Sequence, residues 1–235
     1  ILVKIIESNH SFKYMFLIQY ISNFKISNFK MILVICGLKG SGKDTIGDYL
    51  IQNYNFKRFH FGDALKDVCS ILFGWTRKLL EGDTKESRIF RETEDIWWSK
   101  KLGFKITPRI AFQKIGTDVI RKHFHMDIWT LIIERRISEF QNKHNTQNIV
   151  ITDCRFQNEI QMVRSYGAKL ISVYRKLPEW FIPYKKGEIS APENVHVSEY
   201  DWIRTDFDFE IKNEGTYKNL YETIELYYQS LKNKY

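Results

Sequence analysis

The sequence of 235 residues contains little cysteine and no paired cysteine motif. Its length already excludes a small disulfide scaffold, because a chain of this size buries a core without cross-links. Cys36, Cys69 and Cys154 are widely spaced and form no C-x-x-C pair, which favours a reducing compartment. Apolar residues make up 43% and charged residues 27%, so the composition excludes both a disordered chain and a multi-span membrane protein.

Acidic residues are fewer than basic ones. The 28 Asp+Glu residues against 36 Lys+Arg residues leave a formal charge of +8. An excess of positive charge predicts an anionic partner, which by charge alone is a nucleic acid, a lipid surface or a nucleotide. The motifs further along the chain decide between these classes.

The first thirty residues differ from the remainder. They begin with Ile1, contain the tandem pentamer ISNFK-ISNFK at 21–30, and lack the small-residue cleavage site of a signal peptide. Charged residues interrupt their apolar stretches before the roughly 18 residues that a membrane span requires. We expect residues 1–30 to be an extension that reflects the choice of start site, and residues 31–235, with a charge of +5, to be the functional domain. The alternative is an amphipathic arm that docks on the domain or on a membrane surface.

A phosphate-binding loop follows the first buried strand. Residues 31–36 form a short apolar run, the motif GLKGSGKDT follows at 37–45, and a helical pattern begins directly after it. Glycine backbone amides and a helix N-terminus suit a phosphate group, and the motif lysine reaches the β and γ oxygens. The alternative is a glycine-rich turn before a helix. The predicted loop residues are Gly37, Lys39, Gly40, Ser41, Gly42, Lys43, Asp44 and Thr45.

One loop position departs from the common pattern. Asp44 stands where a Ser or Thr hydroxyl usually ligates Mg²⁺. The Asp44 carboxylate can bind the metal directly or through water, and Thr45 offers a hydroxyl one residue later. The sequence leaves open which of the two serves the metal.

Charged side chains follow two further predicted strands. Asp63 and Lys66 follow KRFHF at 57–61, and Asp153 and Arg155 follow the run NIVIT at 148–152. Ligands in open α/β sheets bind beyond the carboxyl ends of the strands, so we expect these four side chains beside the phosphate loop. Asp63 and Lys66 are assigned to the acceptor phosphate, Asp153 to metal or acceptor, and Arg155 to catalysis. The alternatives are helix caps for the two acids and a solvated lysine.

A helical insert at about 63–146 separates these strands. Thr107-Pro108 predicts a helix start, and Arg109, Gln113, Thr117 and Arg121 recur from there at every fourth position. This polar face suits an acceptor with a phosphate at one end and a base at the other, although a solvated face has the same pattern. Trp75, Trp97 and Trp98 are candidates to stack a base, with packing as the alternative. Arg77, Arg88 and Arg91 are candidates for its phosphate, and Trp75 and Arg88 enter the predicted substrate set.

The C-terminal third contains two more predicted strands, KLISVY at 169–174 and FDFEIK at 207–212. The irregular, proline-containing stretch between them, at about 176–200, has the composition of a lid. The turn after the last strand contains Asn213 and Gly215, which we assign to the base of the donor nucleotide; a plain strand-to-helix turn is the alternative.

These motifs in this order resemble the deoxynucleoside monophosphate kinases of phages and giant viruses. The matching segments are GLKGSGKDT, FGDALK, TPRIAFQKIGTDVIR, VITDCRFQNE, HVSE and IKNEGT. The resemblance implies a three-layer α/β P-loop fold with a five-stranded parallel sheet in the order 2-3-1-4-5. It implies in-line phosphoryl transfer from ATP with Mg²⁺ to a deoxynucleoside monophosphate in the cytoplasm, and it leaves a homodimer open. Lys43, Arg155 and Asp63 would be catalytic, and Asp63, Arg109, Gln113 and Arg121 would hold the acceptor.

Two other functions share parts of the pattern. Phosphomevalonate and dephospho-coenzyme A kinases have a similar loop and strand end, but their acceptors need no base pocket. A nucleic-acid-associated P-loop ATPase is supported only by the basic charge. We therefore expect no nucleic-acid partner and no membrane partner.

Overall fold

Five parallel strands form one sheet at the centre of the molecule. The computed structural model describes residues 31–144 and 147–233, so the predicted extension lies outside the described residues. The strands are β1 Ile32–Cys36, β2 Lys57–Phe59, β3 Ile149–Ile151, β4 Lys169–Tyr174 and β5 Phe209–Lys212. Their order is β2-β3-β1-β4-β5 with every pair parallel, which confirms the predicted topology.

Helices cover both faces of this sheet and form the insert. Their bounds are α1 Lys43–Tyr54, α2 Asp63–Phe73, α3 Lys85–Glu92, α4 Ile96–Leu102, α5 Pro108–Gln113, α6 Ile128–Lys143, α7 Gln157–Ser165, α8 Phe181–Lys186 and α9 Tyr217–Lys232. All five β1 residues are buried, because β1 is the central strand and is covered on both faces. Side chains that alternate along β1 therefore enter two different cores.

The predicted insert has a small core of its own. Cys69, Trp75, Leu80, Ile106 and Ala111 are buried together, apart from the two cores that flank the sheet. Helices α2 to α5 thus form a separately packed unit that projects beyond the strand ends.

The helix that begins at Thr107 follows the predicted start but changes type midway. The Thr107 hydroxyl accepts a hydrogen bond from the Ile110 amide at 3.2 Å, and Pro108 occupies the first turn. From Lys114 to Phe124 the chain continues as a π-helix. Its Gly116 lies against α2, where a β-carbon would come within 2.5 Å of the Leu65 side chain. π-Helical segments of this kind are frequent at functional sites.

The predicted lid is less irregular than its sequence suggests. Helix α8 occupies its first half and buries Phe181 and Tyr184 in the core under β4. The second half, from Gly187 to Asn194, is largely exposed and ends in a 3₁₀ turn at Val197–Glu199. The proline pattern missed α8 because its anchoring comes from aromatic contacts with distant residues such as Trp202. Within the described ranges, no helix is both long and apolar enough to cross a membrane.

Candidate active site

A cleft of about 690 Å³ opens beyond the carboxyl ends of β1, β2 and β3. The phosphate loop and the first turn of α1 form one wall, and the insert helices α2, α3 and α5 form the opposite wall. His196, Ser198 and Glu199 approach from the end of the lid segment. The cleft therefore lies where an open parallel sheet places its ligands.

The phosphate loop has the backbone of an anion cradle. Gly40 and Gly42 have φ angles of +78° and +105°, which side chains other than glycine rarely adopt. Gly37 packs so tightly that a β-carbon would come within 2.7 Å of the Val173 carbonyl oxygen. Ser41 is buried, and its hydroxyl has no hydrogen-bond partner within the described residues. An unpaired hydroxyl in a loop of this shape fits a phosphate oxygen.

Lys43 lies at the base of this cradle with only 9% of its side chain exposed. Burial lowers the pKa of Lys43, and the nearby charge of Arg155 lowers it further. The Asp44 carboxylate, 3.3 Å from the Lys43 ammonium, opposes this shift. Lys43 and Arg155 are thus close enough to repel each other, and an anion placed between them would relieve the repulsion.

Asp44 is the loop carboxylate that faces the cleft. Its Oδ1 accepts a hydrogen bond from the Thr152 hydroxyl at 2.8 Å, and 57% of its side chain is exposed. Burial of the group opposes ionisation, but Lys43 and the Thr152 hydroxyl outweigh this effect and hold the pKa of Asp44 below its usual value. Thr45 does not line the cleft. An ionised and oriented carboxylate at this position fits a magnesium ion, which prefers oxygen ligands.

Asp153 has a structural task that the sequence did not indicate. Its two oxygens accept hydrogen bonds from the backbone amides of Phe61 at 3.0 Å and Gly62 at 2.9 Å, and the His60 ring lies 3.8 Å away. Asp153 therefore ties the end of β3 to the loop after β2. It lines the cleft as predicted, but its side chain is 27% exposed against 57% for Asp44, so Asp44 is the more accessible of the two predicted metal ligands.

Asp63 and Lys66 line the cleft within a cluster of charges. Helix α2 begins at Asp63 with Gly62 in the cap position, so the alternative of a capping Asp63 is wrong. The Asp63 carboxylate lies 3.5 Å from each of the cationic groups of Lys66, Arg77 and Arg136. Lys66 is buried and also contacts Glu81 at 2.7 Å. The Asp63 and Glu81 carboxylates thus hold several cationic side chains close together in the lining of the cleft.

Arg155 and Arg109 reach the cleft from opposite sides, as the sequence predicted. The Arg155 guanidinium lies 3.3 Å from the Glu199 carboxylate, and Arg109 lies 4.0 Å from the other oxygen of the same group. Arg109 also donates from Nε to Glu92 at 2.6 Å, and the Lys39 ammonium contacts the same Glu92 oxygen at 2.7 Å. Two glutamates thus separate three cations around the opening of the cleft.

Gln113, Thr117 and Arg121 all line the cleft. Arg121 is 4% exposed, forms an ion pair with Glu159, stacks on Phe156 and donates to the Met126 carbonyl. Arg121 lies in the π-helical segment and lines the cleft beside Gln113 and Thr117, but its charge is already paired with Glu159. Its predicted acceptor contact stays a prediction beside this structural one.

Glu159 contacts both Arg121 and the backbone of the catalytic candidate Arg155. Its carboxylate accepts hydrogen bonds from the backbone amides of Arg155 at 2.7 Å and Phe156 at 3.2 Å. Burial raises the pKa of Glu159 to about 7, while the charge of Arg121 and the Arg155 amide favour the ionised form. Arg121 and Glu159 together fix the loop that carries Arg155.

Arg91 faces the cleft more deeply than the predicted Arg88. Arg88 donates to the carbonyl oxygens of Gly82 and Asp83 at the rim, at 3.0 and 3.1 Å. Arg91 donates to the Glu81 carbonyl and lies 5.5 Å from the Phe112 ring, and its Nε is buried without a partner within the described residues. The helix start at Thr84 gives the register of α3, but only tertiary packing shows which arginine faces inward.

Trp75 lies outside the cleft, contrary to the stacking prediction. It is 6% exposed, stacks on Phe73 at 4.2 Å and donates from its indole to Asp95 at 2.8 Å. Trp98 packs edge-on against Phe73, and Trp97 is exposed away from the cleft lining. Trp75 and Trp98 thus pack in the core of the insert, since a small helical unit needs large side chains to fill its core, and Trp97 lies on the surface.

Asn213 contacts the phosphate loop through its side chain. Its amide donates to the Ser41 carbonyl at 2.7 Å and lies where a β-carbon on Gly42 would clash. One N–H of the amide thus supports the loop, and the predicted contact with the donor base stays a prediction. Gly215 is exposed beside Thr216, which caps α9.

Comparisons with known proteins show the family of this chain. A family model described as deoxynucleotide monophosphate kinase matches residues 83–224. A putative deoxynucleotide monophosphate kinase of Acanthamoeba polyphaga mimivirus is 29% identical over 204 residues, covering 83% of this chain and 94% of the relative. The deoxynucleotide monophosphate kinase of Enterobacteria phage T4 is 21% identical, covering 83% of this chain and 97% of the relative. The deoxynucleoside-5′-monophosphate kinase of Escherichia phage T5 is 25% identical, covering 54% of this chain and 69% of the relative.

Proposed function

Because this chain belongs to the deoxynucleotide monophosphate kinase family, we propose that its cleft transfers the γ-phosphoryl group of ATP to the phosphate of a deoxynucleoside monophosphate. The observation that carries this proposal is the arrangement of cations across one cleft. Lys43 belongs to the phosphate loop, Arg109 and Arg91 belong to the insert, and Arg155 lies between them. Two phosphorylated molecules that meet end to end need such a set of charges.

The phosphate loop binds the donor in this proposal. The backbone amides of the loop and the unpaired Ser41 hydroxyl take the β-phosphate, and Lys43 spans the β and γ oxygens. Asn213 keeps the loop in shape through the Ser41 carbonyl. Asp44, oriented by Thr152, holds Mg²⁺, which when bound neutralises charge on the donor phosphates.

The insert binds the acceptor in this proposal. Lys66, Arg91 and Arg109 take the acceptor phosphate, and Gln113 and Thr117 offer hydrogen bonds to the nucleoside. Asp63 holds Lys66 close to the cleft through their 3.5 Å ion pair. Transfer is direct, since positioning and charge stabilisation supply most of the catalysis in phosphoryl transfer.

Arg155 is the residue that we assign to the transferring group. Its backbone is fixed by Glu159 and its guanidinium by Glu199, while the coupling between the charges of Arg155 and Lys43 places both near one point. A guanidinium at this point stabilises the charge that spreads over the phosphoryl oxygens. Closure of the lid segment over this point excludes water, which protects ATP from hydrolysis.

The test is an ADP-release assay with each deoxynucleoside and ribonucleoside monophosphate as acceptor. We expect turnover with at least one deoxynucleoside monophosphate, and a loss of about 100-fold or more in kcat for Lys43→Ala. The midpoint of unfolding should not fall, since the buried charge of Lys43 is costly. Lys218→Ala, a change on the exposed face of α9, is the matched control.

Two results would contradict this function. One is ADP release that depends on mevalonate phosphate or dephospho-coenzyme A and on no nucleotide. The other is normal turnover by Lys43→Ala. Thermal stabilisation by DNA, with none by any deoxynucleotide, would favour the nucleic-acid-associated ATPase instead.

We also propose that the reaction takes place in the cytoplasm. Cys36, Cys69 and Cys154 are free and buried, as in proteins of reducing compartments. The proposed partners are the two nucleotides, and the possible homodimer stays open.

A further inference from the structure

Glu92 connects the two walls of the cleft through one oxygen atom. Its Oε1 lies 2.7 Å from the Lys39 ammonium of the phosphate loop and 2.6 Å from Nε of Arg109 on α5. The two cations therefore lie no farther apart than the sum of these distances. Without the carboxylate they would repel each other.

An acidic residue at the position of Glu92 does not stabilise the helix to which it belongs. It is the last residue of α3, where the partial negative charge of a helix C-terminus disfavours an acid. Burial opposes its ionisation, but the hydrogen bonds and charges of Lys39 and Arg109 together outweigh this effect and hold the pKa of Glu92 below its usual value. The charge of Glu92 is thus stabilised by residues that belong to the two substrate sites.

Both cations keep donors for a phosphate while they hold Glu92. A lysine ammonium has three N–H groups and a guanidinium has five, and Glu92 takes one from each. Arg109, which lines the cleft, therefore has terminal nitrogens left for a phosphate. The Lys39 and Glu92 side chains are 64% and 43% exposed, so the bridge is weak in the free protein and its ordering is left to the first nucleotide.

We propose that Glu92 is a positioning residue that couples donor binding to acceptor binding through the Lys39–Glu92–Arg109 bridge. A donor that orders Lys39 also fixes Glu92, and Glu92 then holds Arg109 in place for the acceptor phosphate. The cost of ordering the bridge is met once, so the second nucleotide binds more tightly than it would alone. This inference rests on the proposed function.

The test is calorimetric binding of ADP and of a deoxynucleoside monophosphate accepted in the ADP-release assay, each alone and each in the presence of the other. In the unchanged protein, we expect each nucleotide to lower the Kd of the other at least about fivefold. In Glu92→Gln this factor should fall below about twofold. The Kd of each nucleotide alone should change less than about threefold, because Lys39 and Glu92 are exposed and ion pairs of exposed residues contribute little by themselves.

Glu139→Gln is the matched control. It removes an exposed Arg Nε to Glu Oε1 contact of 2.8 Å on α6, outside the cleft, and should leave the coupling factor unchanged. A purely structural Glu92 would weaken both nucleotides when they bind alone, which would overturn the inference. Equal coupling in Glu92→Gln and the unchanged protein would also overturn it, as would a factor near one in the unchanged protein. If neither nucleotide bound the unchanged protein, the proposed function itself would be wrong.

Discussion

At the scale of single residues, the cleft is defined by cations that the protein does not fully neutralise. Burial lowers the pKa of Arg91, and the charges of Arg109 and Arg155 lower it further. Within the described residues Arg91 has no ion pair, and its buried Nε lacks an acceptor. Such a group costs stability in the free protein, so its presence is best explained by a ligand that supplies the missing negative charge.

Arg91→Met should therefore increase stability and weaken binding. Removing the poorly paired charge while keeping an apolar stem should raise the free energy of unfolding by about 0.5–2 kcal/mol. The Kd of the deoxynucleoside monophosphate should rise at least about tenfold, since a charged hydrogen bond contributes about 1.5–3 kcal/mol. Urea unfolding and calorimetry measure the two effects. Arg88→Met is the control at the rim, and a variant at Arg91 that loses stability and keeps its affinity would refute this account.

At the scale of elements, the end of β5 supports the phosphate loop. Asn213 follows β5, and its side-chain amide donates to the Ser41 carbonyl. The same amide packs against Gly42, so a change of this side chain would disturb the glycine turn. A strand at the edge of the sheet thus determines the shape of a loop that follows the central strand. The sequence predicted that this turn lies near the donor, but it assigned the contact to the base.

Asn213→Ala should weaken donor binding through the loop. It leaves the Ser41 carbonyl unpaired, which costs about 1–3 kcal/mol of stability. The Kd of ATP and that of GTP should rise by the same factor, while the Kd of the acceptor alone stays unchanged. Asn53→Ala, which removes an exposed amide-to-carbonyl bond on α1, is the control. A selective effect on one base would instead support the base contact that the sequence suggested.

At the scale of the whole molecule, buried carboxylates join elements that are distant in sequence. Burial opposes ionisation of Asp153, but the neighbouring His60 ring, the Lys66 charge and the Gly62 amide outweigh it and hold its pKa well below the usual value. A carboxylate whose pKa is lowered by folding stabilises the folded state above its unfolded pKa of 3.8. That stability is lost as the pH falls below this value towards the folded pKa.

Asp153→Asn should consequently reduce stability in a manner that depends on pH. At pH 7 one backbone amide of the loop loses its acceptor, at a cost of about 1–3 kcal/mol. The difference from the unchanged protein should shrink as the pH falls below about 4, because the unfolded chain takes up a proton at Asp153 there while the folded protein does not. Urea unfolding at several pH values measures it, with the exposed Asp118→Asn as control. A difference that is constant with pH would contradict the ionised role of Asp153.

The sequence by itself determined the elements and motifs whose causes are local. Buried apolar runs identify the strands, the glycine pattern identifies the phosphate loop, and Thr107-Pro108 identifies the start of the acceptor helix. The order of the strands came with the family resemblance. These features depend on residues that are neighbours in the sequence, so the sequence pattern alone predicts them.

Only the tertiary structure decided which side chains reach the cleft. Arg91 lines the cleft with a buried, unpaired Nε, whereas Arg88 lines only its exposed rim. Arg121 is paired with Glu159, and Trp75 fills the core of the insert. The direction of each depends on the register of one helix against another, and on partners that lie many residues away. Spacing along the chain gives a face to each helix, but packing alone determines whether that face meets solvent, core or substrate.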